Sequence, residues 1–256
     1  MKKILLLLTL IIMCTPAFAK NIRFIQATDV HMTQNSSEYV KEFIDEVNKN
    51  YSNIDFLMFS GDNINRADIR DLDLFLDIVK KSKPTVYVIP GNHDLYLQNE
   101  LGQKKYMAEV RKKLGFYHSS KPNFVFKKKG VVFITMNGVK EVIPSPNGYY
   151  RENELKWLDK KLTQYKNKKV VIIQHFPLLD TNVKGHNLYK KDKYYEVLKK
   201  HDNVIAIVAG HYHRNQEEMQ DGVYHILTQQ FSHGKAYKII EIDPESGFIF
   251  TTLIEK

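Results

Sequence analysis

The sequence is poor in cysteine, glycine and proline. Its 256 residues include one cysteine, Cys14, and only 12 glycines and 8 prolines. A chain with a single cysteine cannot form an internal disulfide bond, and it cannot build a zinc knuckle or an iron–sulfur site from cysteine pairs. Because glycine and proline are scarce and no block recurs every ~20 to 50 residues, the sequence excludes linker-rich, solenoid and propeller architectures.

What remains is the composition of an ordinary folded protein. Apolar residues make up 43% of the chain and charged residues 26%, which excludes a mainly disordered chain and favours one compact domain. The formal net charge is +9, and its lysines are dispersed in short groups such as 127–129, 168–169 and 199–200. We interpret these groups as solvated faces that favour anionic partners in general.

The N-terminus has the pattern of a secretory signal peptide. Two lysines precede a run at 4–13 that is apolar except for Thr9, and Ala17-Phe18-Ala19 places small residues at the spacing of a cleavage site. The run has about half of the ~20 apolar residues that a membrane-spanning helix needs. We therefore predict a signal peptide at 1–19, a single domain at 20–256, and export to the periplasm or the medium. The alternative is an uncleaved N-terminal segment that anchors the protein to the membrane.

Cleavage after Ala19 also changes the composition of the mature chain. It removes Cys14 and two lysines, so that 237 residues with a formal charge of +7 remain. A chain of that length buries enough apolar surface to fold without disulfide bonds. No other apolar run of membrane-spanning length follows, so we expect no membrane span after cleavage.

Short apolar runs alternate with amphipathic stretches along the rest of the chain, which is typical of an α/β protein. The runs predict five central strands, at 22–28, 55–60, 85–89, 169–174 and 204–209. The amphipathic stretches predict five helices, at 37–50, 68–81, 103–114, 152–165 and 191–200. Two further pairs of runs with turn residues between them predict hairpins, at 124–126 with 131–136 and at 237–242 with 248–253.

Each of the five predicted central strands runs into side chains of the kinds that bind metals. The residues at these strand ends are Asp29 and His31, Asp62, Asn92 and His93, His175, and His211 and His213. In open α/β sheets the ligand crevice lies beyond the carboxyl ends of the strands, so we expect these residues to converge there. Residues spaced i, i+2 point in the same direction, which lets each such pair serve one cluster.

In this order the strand-end residues resemble the calcineurin-like metallophosphoesterase superfamily. The resemblance extends from Asp29 to His213 and implies an α/β fold, a four-layer αββα sandwich of two mixed sheets flanked by helices, with a dinuclear metal site at the carboxyl ends of the strands. It implies that one metal is held by Asp29, His31, Asp62 and His213, and the other by Asp62, Asn92, His175 and His211. Asp62 would then bridge the metals. His93 is similar to the family's catalytic histidine, which is not a ligand.

The donor set itself indicates which metals fit. Imidazoles mixed with carboxylate and amide oxygens suit Mn, Fe or Zn, as two divalent or mixed-valence ions, better than Ca, which prefers oxygen ligands alone. Two such ions would lower the pKa of a shared water and so supply a metal-bridging hydroxide as the nucleophile toward the ester. His93 can then protonate the departing oxygen.

The residue at position 65 indicates which members of the superfamily the sequence resembles most. Asn65 stands three residues after Asp62, where purple acid phosphatases have a metal-binding tyrosine. With its short chain and the sequence Gly-Asn-His-Asp at 91–94, the protein looks more like the bacterial cyclic nucleotide and glycerophosphodiester phosphodiesterases. The expected substrate is a small phosphodiester of these types, or a phosphomonoester. Asn92 and Arg66 are candidate substrate contacts, Arg66 because a guanidinium can bind a phosphate oxygen.

Two other functions stay open. The positive charge favours a metal-dependent nuclease, although the basic residues are too dispersed to form a nucleic-acid platform, and no specific nucleic-acid partner is expected. A non-catalytic scaffold that retains the fold is the other alternative, although a scaffold has no need of His93. The sequence leaves the oligomeric state open.

Two residues near the strand ends have secondary roles in this interpretation. Asp94 is expected to orient its own loop or His93 and not to bind a metal. His233 matches no motif, but it lies in the polar stretch 229–234 and can approach the site.

We predict that the mature protein begins at Lys20, because Ala17 and Ala19 meet the small-residue requirement of signal peptidases. Intact-mass analysis of the exported protein checks the cleavage site. A mass that still includes residues 1–19 would reject it.

Overall fold

The computed structural model of the chain describes residues 21–115, 118–183, 186–234 and 236–256, so the predicted signal peptide lies outside the described residues. The described strands are β1 (Ile22–Ala27), β2 (Phe56–Ser60), β3 (Thr85–Ile89), β4 (Val125–Lys128), β5 (Val131–Met136), β6 (Val170–Gln174), β7 (Val204–Ala209), β8 (Gln216–Gln220), β9 (Val223–Leu227), β10 (Ala236–Ile242) and β11 (Ile249–Glu255). The described α-helices are α1 (Glu38–Asn50), α2 (Ile69–Val79), α3 (Gln103–Leu114), α4 (Glu152–Gln164) and α5 (Lys191–Leu198).

The strands form two mixed sheets. The first has the strand order β11-β10-β1-β2-β3, and the second has the order β4-β5-β6-β7-β9-β8. Strands β1 to β3 run parallel to one another, as do β5, β6, β7 and β9, whereas β10, β11, β4 and β8 pair antiparallel at the sides. The parallel strands of each sheet therefore present their carboxyl ends at one edge.

Aromatic side chains pack the inner faces of the two sheets against each other. Phe24 and Phe56 of the first sheet stack with their ring centroids 4.6 Å apart, and both contact Phe133 of the second sheet edge-on, at 5.7 and 5.1 Å. All three are fully buried. Edge-to-face contacts of this kind add to the large apolar area that each ring buries.

Helices cover the outer face of each sheet. Helix α1 buries Val40, Phe43, Ile44 and Val47, the i, i+3, i+4, i+7 spacing that produces one apolar face. Its Phe43 contacts Phe59 of β2, and on the second sheet the hydroxyl of Tyr194 in α5 donates to Gln174 of β6 at 2.8 Å. The layers run helix, sheet, sheet, helix, so the predicted four-layer αββα sandwich is confirmed.

A buried lysine ties the first sheet to the second at the β10 side. The ammonium of Lys238 is fully buried and donates to the Glu217 carboxylate at 2.6 Å and to the carbonyl oxygen of Leu227 at 3.1 Å. Thr251 of β11 donates to the same carboxylate. Burial lowers the pKa of Lys238 and outweighs the opposing effect of Glu217. These contacts therefore cross-link four strands, β10 and β11 of the first sheet with β8 and β9 of the second.

The predicted helices, central strands and hairpins are all present, with their ends within two residues of the expected positions. Helix α2 begins one residue later than predicted because Asp68 is its N-cap, accepting from the N–H of Arg70 at 2.8 Å. The hairpin formed by β8 and β9 was not predicted. Strand β8 is an edge strand with a polar sequence, so it has no apolar run to indicate a strand.

The inter-sheet aromatic contacts predict where the fold is least tolerant of truncation. Phe56→Ala removes a fully buried ring and is expected to lower the free energy of unfolding by about 3 to 5 kcal/mol. Phe250→Ala, in which the replaced ring is 62% exposed on β11, is the matched control and should cost less than about 1 kcal/mol. Urea unfolding at equilibrium measures both, and equal losses would contradict the assigned packing.

Candidate metal centre

The residues predicted from the five strand ends come together at one place. Backbone hydrogen bonds join their loops: the N–H of Asp29 donates to Gly61 at 3.0 Å, the N–H of His31 to Asp62 at 2.9 Å, and the N–H of Gly210 to His175 at 3.1 Å. The last bond joins two loops of the second sheet, and the backbone N–H of His211 donates to Asp29 Oδ2 at 2.8 Å, which holds loops of both sheets beside one another. The cluster therefore sits across the carboxyl edges of both sheets.

The backbone at this cluster has an unusual conformation. Five of the predicted ligands have positive φ angles, namely Asp29 (53°), His31 (50°), Asp62 (51°), His211 (71°) and His213 (52°). Residues with a side chain adopt this left-handed region infrequently, and outliers of this kind concentrate at functional sites. The chain therefore turns sharply after β1, β2 and β7, and after β1 and β7 two ligands spaced i, i+2 reach the same crevice.

Three overlapping groups of side chains are spaced so that each group can hold a metal ion. Within each group one ligand atom per residue lies within 4.8 Å of the others, and the groups are Asp29, His31 and His213; His31, Asp62 and His93; and Asp62, His175 and His211. Asn92 joins the last group, because its Oδ1 lies 3.2 Å from Nε2 of His175. Asp62 and His31 each belong to two groups, and of the two only the Asp62 carboxylate has a pair of oxygens with which to bridge two metals.

The protonation equilibria of the site reflect two buried carboxylates. Burial alone would raise the pKa of Asp62, but His175 and its other imidazole neighbours outweigh it and hold the pKa of Asp62 below its usual range. Burial lowers the pKa of His175, yet Asp62 and Asp29 raise it to about 9 overall. For His211, burial and the charge of His175 lower the pKa to about 3, so its imidazole is neutral and able to act as a ligand.

The residues present fit a pair of cations. Asp29 Oδ1 is buried with no hydrogen-bond partner among the described residues, although His213 Nε2 lies 3.2 Å away. The Nε2 atoms of His31 and His213 face each other at 3.3 Å, and two such lone pairs repel unless a proton or a cation lies nearby. Imidazole, carboxylate and amide donors together suit Mn, Fe or Zn.

Two glycines leave the space that the carboxylates occupy. A Cβ on Gly91 would lie 2.2 Å from Oδ1 of Asp62, and a Cβ on Gly210 would lie 2.5 Å from Oδ2 of Asp29. Both distances are far inside van der Waals contact, so any side chain here would displace a predicted ligand. Positions 91 and 210 are therefore glycine because the backbone approaches a carboxylate closely at each of them.

Backbone carbonyls orient the histidine rings. Nδ1 of His175 lies 3.1 Å from the carbonyl oxygen of Ser60, and Nε2 of His211 lies 2.7 Å from that of Pro146. Because a carbonyl oxygen only accepts, the ring N–H donates in each case and the other ring nitrogen is left for a metal. His93 is oriented in the same way but is not expected to bind a metal: its Nδ1 donates to Asn65 O at 2.8 Å, and its Nε2 faces the site, 4.0 Å from Asp62.

Asp94 joins the second and third strand-end loops. Its carboxylate accepts from the N–H groups of Gly91 (2.7 Å), Ile64 (2.9 Å) and Asn63 (3.2 Å). Burial and the nearby Asp62 carboxylate raise the pKa of Asp94 to about 7 against the effect of these donors. Asp94 thus has the loop-orienting position expected from the sequence and lies in no group that can hold a metal among the described residues.

Three cavities open onto the cluster, and His93 borders all of them. The Arg66 cavity, of about 380 Å³, contains both candidate substrate contacts, Arg66 and Asn92, beside His93. A second cavity, of about 300 Å³, lies over Asp62 and His211 and is bordered by Arg214. A third, the His233 cavity of about 440 Å³, lies beside His31 and His213. The apolar wall of the Arg66 cavity, formed by 144–146 and Tyr96, was not predicted from the sequence.

The sequence model of the calcineurin-like phosphoesterase family matches residues 22–215. The chain belongs to this family of metal-dependent phosphoesterases, and it is a hydrolase of phosphoric esters. It is similar to the Probable glycerophosphodiester phosphodiesterase GpdQ of Arcobacter nitrofigilis, with 24% identity over 76% of this chain and 69% of that one. It is also similar to the 3′,5′-cyclic adenosine monophosphate phosphodiesterase CpdA of Haemophilus influenzae, with 23% identity over 81% and 75% of the two chains.

The fold agrees with this membership. A dimetal phosphatase from Danio rerio superposes with a TM-score of 0.60 at 16% identity, over 91% of this chain and 98% of that one. The resemblance to the calcineurin-like superfamily and to its bacterial phosphodiesterases is therefore confirmed. The individual ligand roles stay predictions that the geometry supports.

Two substitutions test the placement of the metals. Asp62→Asn removes the shared carboxylate and His175→Ala removes a buried imidazole, so each should lower both the bound metal and the activity. His201→Ala is the matched control, because His201 pairs with Asp159 away from the cluster and should leave metal content unchanged. Elemental analysis of purified protein measures the metal, and full occupancy of both sites in either variant would show that the site is misplaced.

Proposed function

We propose that the protein is an exported, dinuclear metal-dependent phosphodiesterase that hydrolyses a small ester of the cyclic nucleotide or glycerophosphodiester type. The observation that carries this proposal is the position of Asp62. Its carboxylate belongs to two groups of potential metal ligands and lies directly beside His93, a histidine with a free ring nitrogen. Two metals bound there would polarise the phosphoryl oxygens and supply a nucleophile at neutral pH.

His93 has the geometry of a general acid. Its Nδ1–H is held by the carbonyl oxygen of Asn65, so Nε2 is the nitrogen that can carry a proton to the substrate. The backbone N–H of His93 donates to Asp62 Oδ1 at 2.8 Å, and this bond fixes the loop that carries the ring. The side chain is 43% exposed, and it borders all three cavities. A leaving oxygen in any of them can therefore reach this ring.

Arg66 and Asn92 are proposed to bind the substrate. Both line the Arg66 cavity, on the side of His93 where Asn92 also meets His175. A guanidinium donates to phosphate oxygens in a fixed fork, which both orients the ester and offsets its charge. Arg66 therefore positions the phosphoryl group, while Asn92 contributes its amide oxygen to the metal-ligand cluster.

The size of the site favours a small ester. The cavities beside the cluster measure about 300 to 440 Å³, at the small end of the range for small-molecule sites. The names of the relatives, a glycerophosphodiester phosphodiesterase and a cyclic nucleotide phosphodiesterase, support a diester. A phosphomonoester is the alternative substrate within the same proposal.

The other two candidate functions receive less support. Among the described residues that line the three cavities, Arg66 and Arg214 are the only arginines and there is no lysine, too few permanent positive charges to follow a nucleic-acid backbone, so a nuclease is disfavoured. A non-catalytic scaffold would not need His93 to be held with one ring nitrogen free beside Asp62.

Export is proposed from the pattern of residues 1–19, with a periplasmic or secreted mature protein. The lysine pair, the short apolar run and the Ala17-Phe18-Ala19 sequence support it. Among the residues that the structure describes, no helix is long and apolar enough to cross a membrane.

The role of His93 predicts a dependence on the leaving group. A general acid matters most when the departing oxygen is a strong base, so His93→Ala should lose far more kcat with an alkyl ester than with a p-nitrophenyl ester. The difference is expected to approach a factor of roughly 100 to 10,000, with both metals retained. Steady-state kinetics on the two esters measure it. Equal losses, with chemistry rate-limiting, would mean that His93 binds phosphate and donates no proton.

The role of Arg66 predicts a change in substrate binding alone. Arg66→Ala removes a charge-assisted hydrogen bond and should raise KM about tenfold or more while the metals are retained. Arg70→Ala is the matched control, since Arg70 pairs with Asp68 on the exposed face of α2. Kinetics on bis(p-nitrophenyl) phosphate compare the two variants. An unchanged KM in Arg66→Ala would show that Arg66 does not bind the substrate.

A further inference from the structure

The loop between β9 and β10 is fastened to the first ligand loop. The N–H of Phe231 donates to the carbonyl oxygen of Thr28 at 2.8 Å, and the N–H of Ser232 donates to that of Asp29 at 3.1 Å. The ring of Phe231 is fully buried and packs against Phe43 of α1, with ring centroids 4.7 Å apart. His233, which follows Ser232, is therefore held beside the metal-ligand cluster.

His233 has the same backbone conformation as the predicted ligands. Its φ angle is 61°, in the left-handed region that Asp29, His31 and His213 also occupy. Its ring packs at 5.7 Å against Tyr39, whose hydroxyl donates to the carbonyl oxygen of Val30 between two of those ligands. The fold thus retains a conformation that is unfavourable for a residue with a side chain, and the result is an imidazole at the cluster.

The cavity that His233 borders is polar. The His233 cavity is lined by imidazoles and hydroxyls, from His31, His93, His213, Thr33, Ser36 and Ser232. On the other side of His93, the Arg66 cavity combines polar side chains such as Arg66 and Asn92 with an apolar and aromatic wall of Ala67, Leu95, Tyr96 and Pro144. The two cavities share Asn65 and His93, so a phosphorus atom at the cluster has a different environment on each side.

A phosphodiester has two organic substituents, whereas a phosphomonoester has one. We propose that the His233 cavity receives a hydroxyl-bearing substituent of a small phosphodiester, such as a sugar or a glycerol, and that His233 forms a hydrogen bond with it. This inference rests on the proposed function and assigns a role in it to the His233 cavity. His233 is then a residue that selects diesters with a polyol substituent over monoesters, because a monoester leaves the His233 cavity empty.

The test varies the substituent that stays on phosphorus while p-nitrophenolate remains the leaving group. The substrates are p-nitrophenyl phosphate, methyl p-nitrophenyl phosphate and thymidine 5′-p-nitrophenyl phosphate. His233→Asn removes the imidazole but keeps a residue that tolerates positive φ, and His233→Gly does the same without a side chain. Both variants should lose about tenfold in kcat/KM with the thymidine ester and little with the other two, the loss expected for one hydrogen bond.

The matched control lies in the opposite cavity. Asn99 borders the Arg66 cavity, so any loss in Asn99→Ala should be the same for all three substrates. Metal content by elemental analysis should be unchanged in every variant. Equal losses on the three substrates in the His233 variants, or a loss specific to the thymidine ester in Asn99→Ala, would overturn the proposal. A wild-type protein that holds its metals but hydrolyses none of the esters would overturn the proposed function, and this inference with it.

Discussion

The rest of the site depends on burying the carboxylate of Asp62. An ionised carboxylate 1% exposed to solvent is costly unless charges and donors surround it. Here the imidazole of His175 lies 3.3 Å from one carboxylate oxygen, and the backbone N–H of His93 donates to the other. Asp29 adds a second fully buried carboxylate in the same crevice. Two negative charges placed among the imidazole and amide donors of this crevice fit a pair of cations.

The four-layer fold provides this site because it brings two carboxyl edges together. The loops after β1 to β3 supply Asp29, His31, Asp62 and Asn92. The loops after β6 and β7 supply the other predicted ligands, His175, His211 and His213, so neither sheet is sufficient alone. The aromatic contacts between Phe24, Phe56 and Phe133 and the buried Lys238–Glu217 pair hold the two sheets in position against each other. Stability of the inter-sheet core and geometry of the metal centre are therefore linked.

Much of this could be predicted from the sequence, because the parallel strands are short apolar runs and the ligands follow them directly. The features that were missed depend on contacts between distant parts of the chain. Strand β8 is polar because it lies at a sheet edge, and only the Asp221-Gly222 turn indicated the hairpin. Pro146 orients His211 through its backbone carbonyl, which no side chain reveals. His233 is held near the cluster because the N–H groups of the two preceding residues donate to backbone carbonyls of the first ligand loop, so its local sequence suggested only that it could approach.

Electron paramagnetic resonance of the Mn²⁺-loaded protein tests the central claim most directly, that Asp62 is shared by two metal sites. Two Mn²⁺ ions bridged by one carboxylate are close enough to couple magnetically, so the account predicts an exchange-coupled signal at two equivalents of metal. The coupling should be lost in Asp62→Asn even when metal is added in excess. A spectrum of isolated Mn²⁺ in the wild-type protein at full loading would contradict the account.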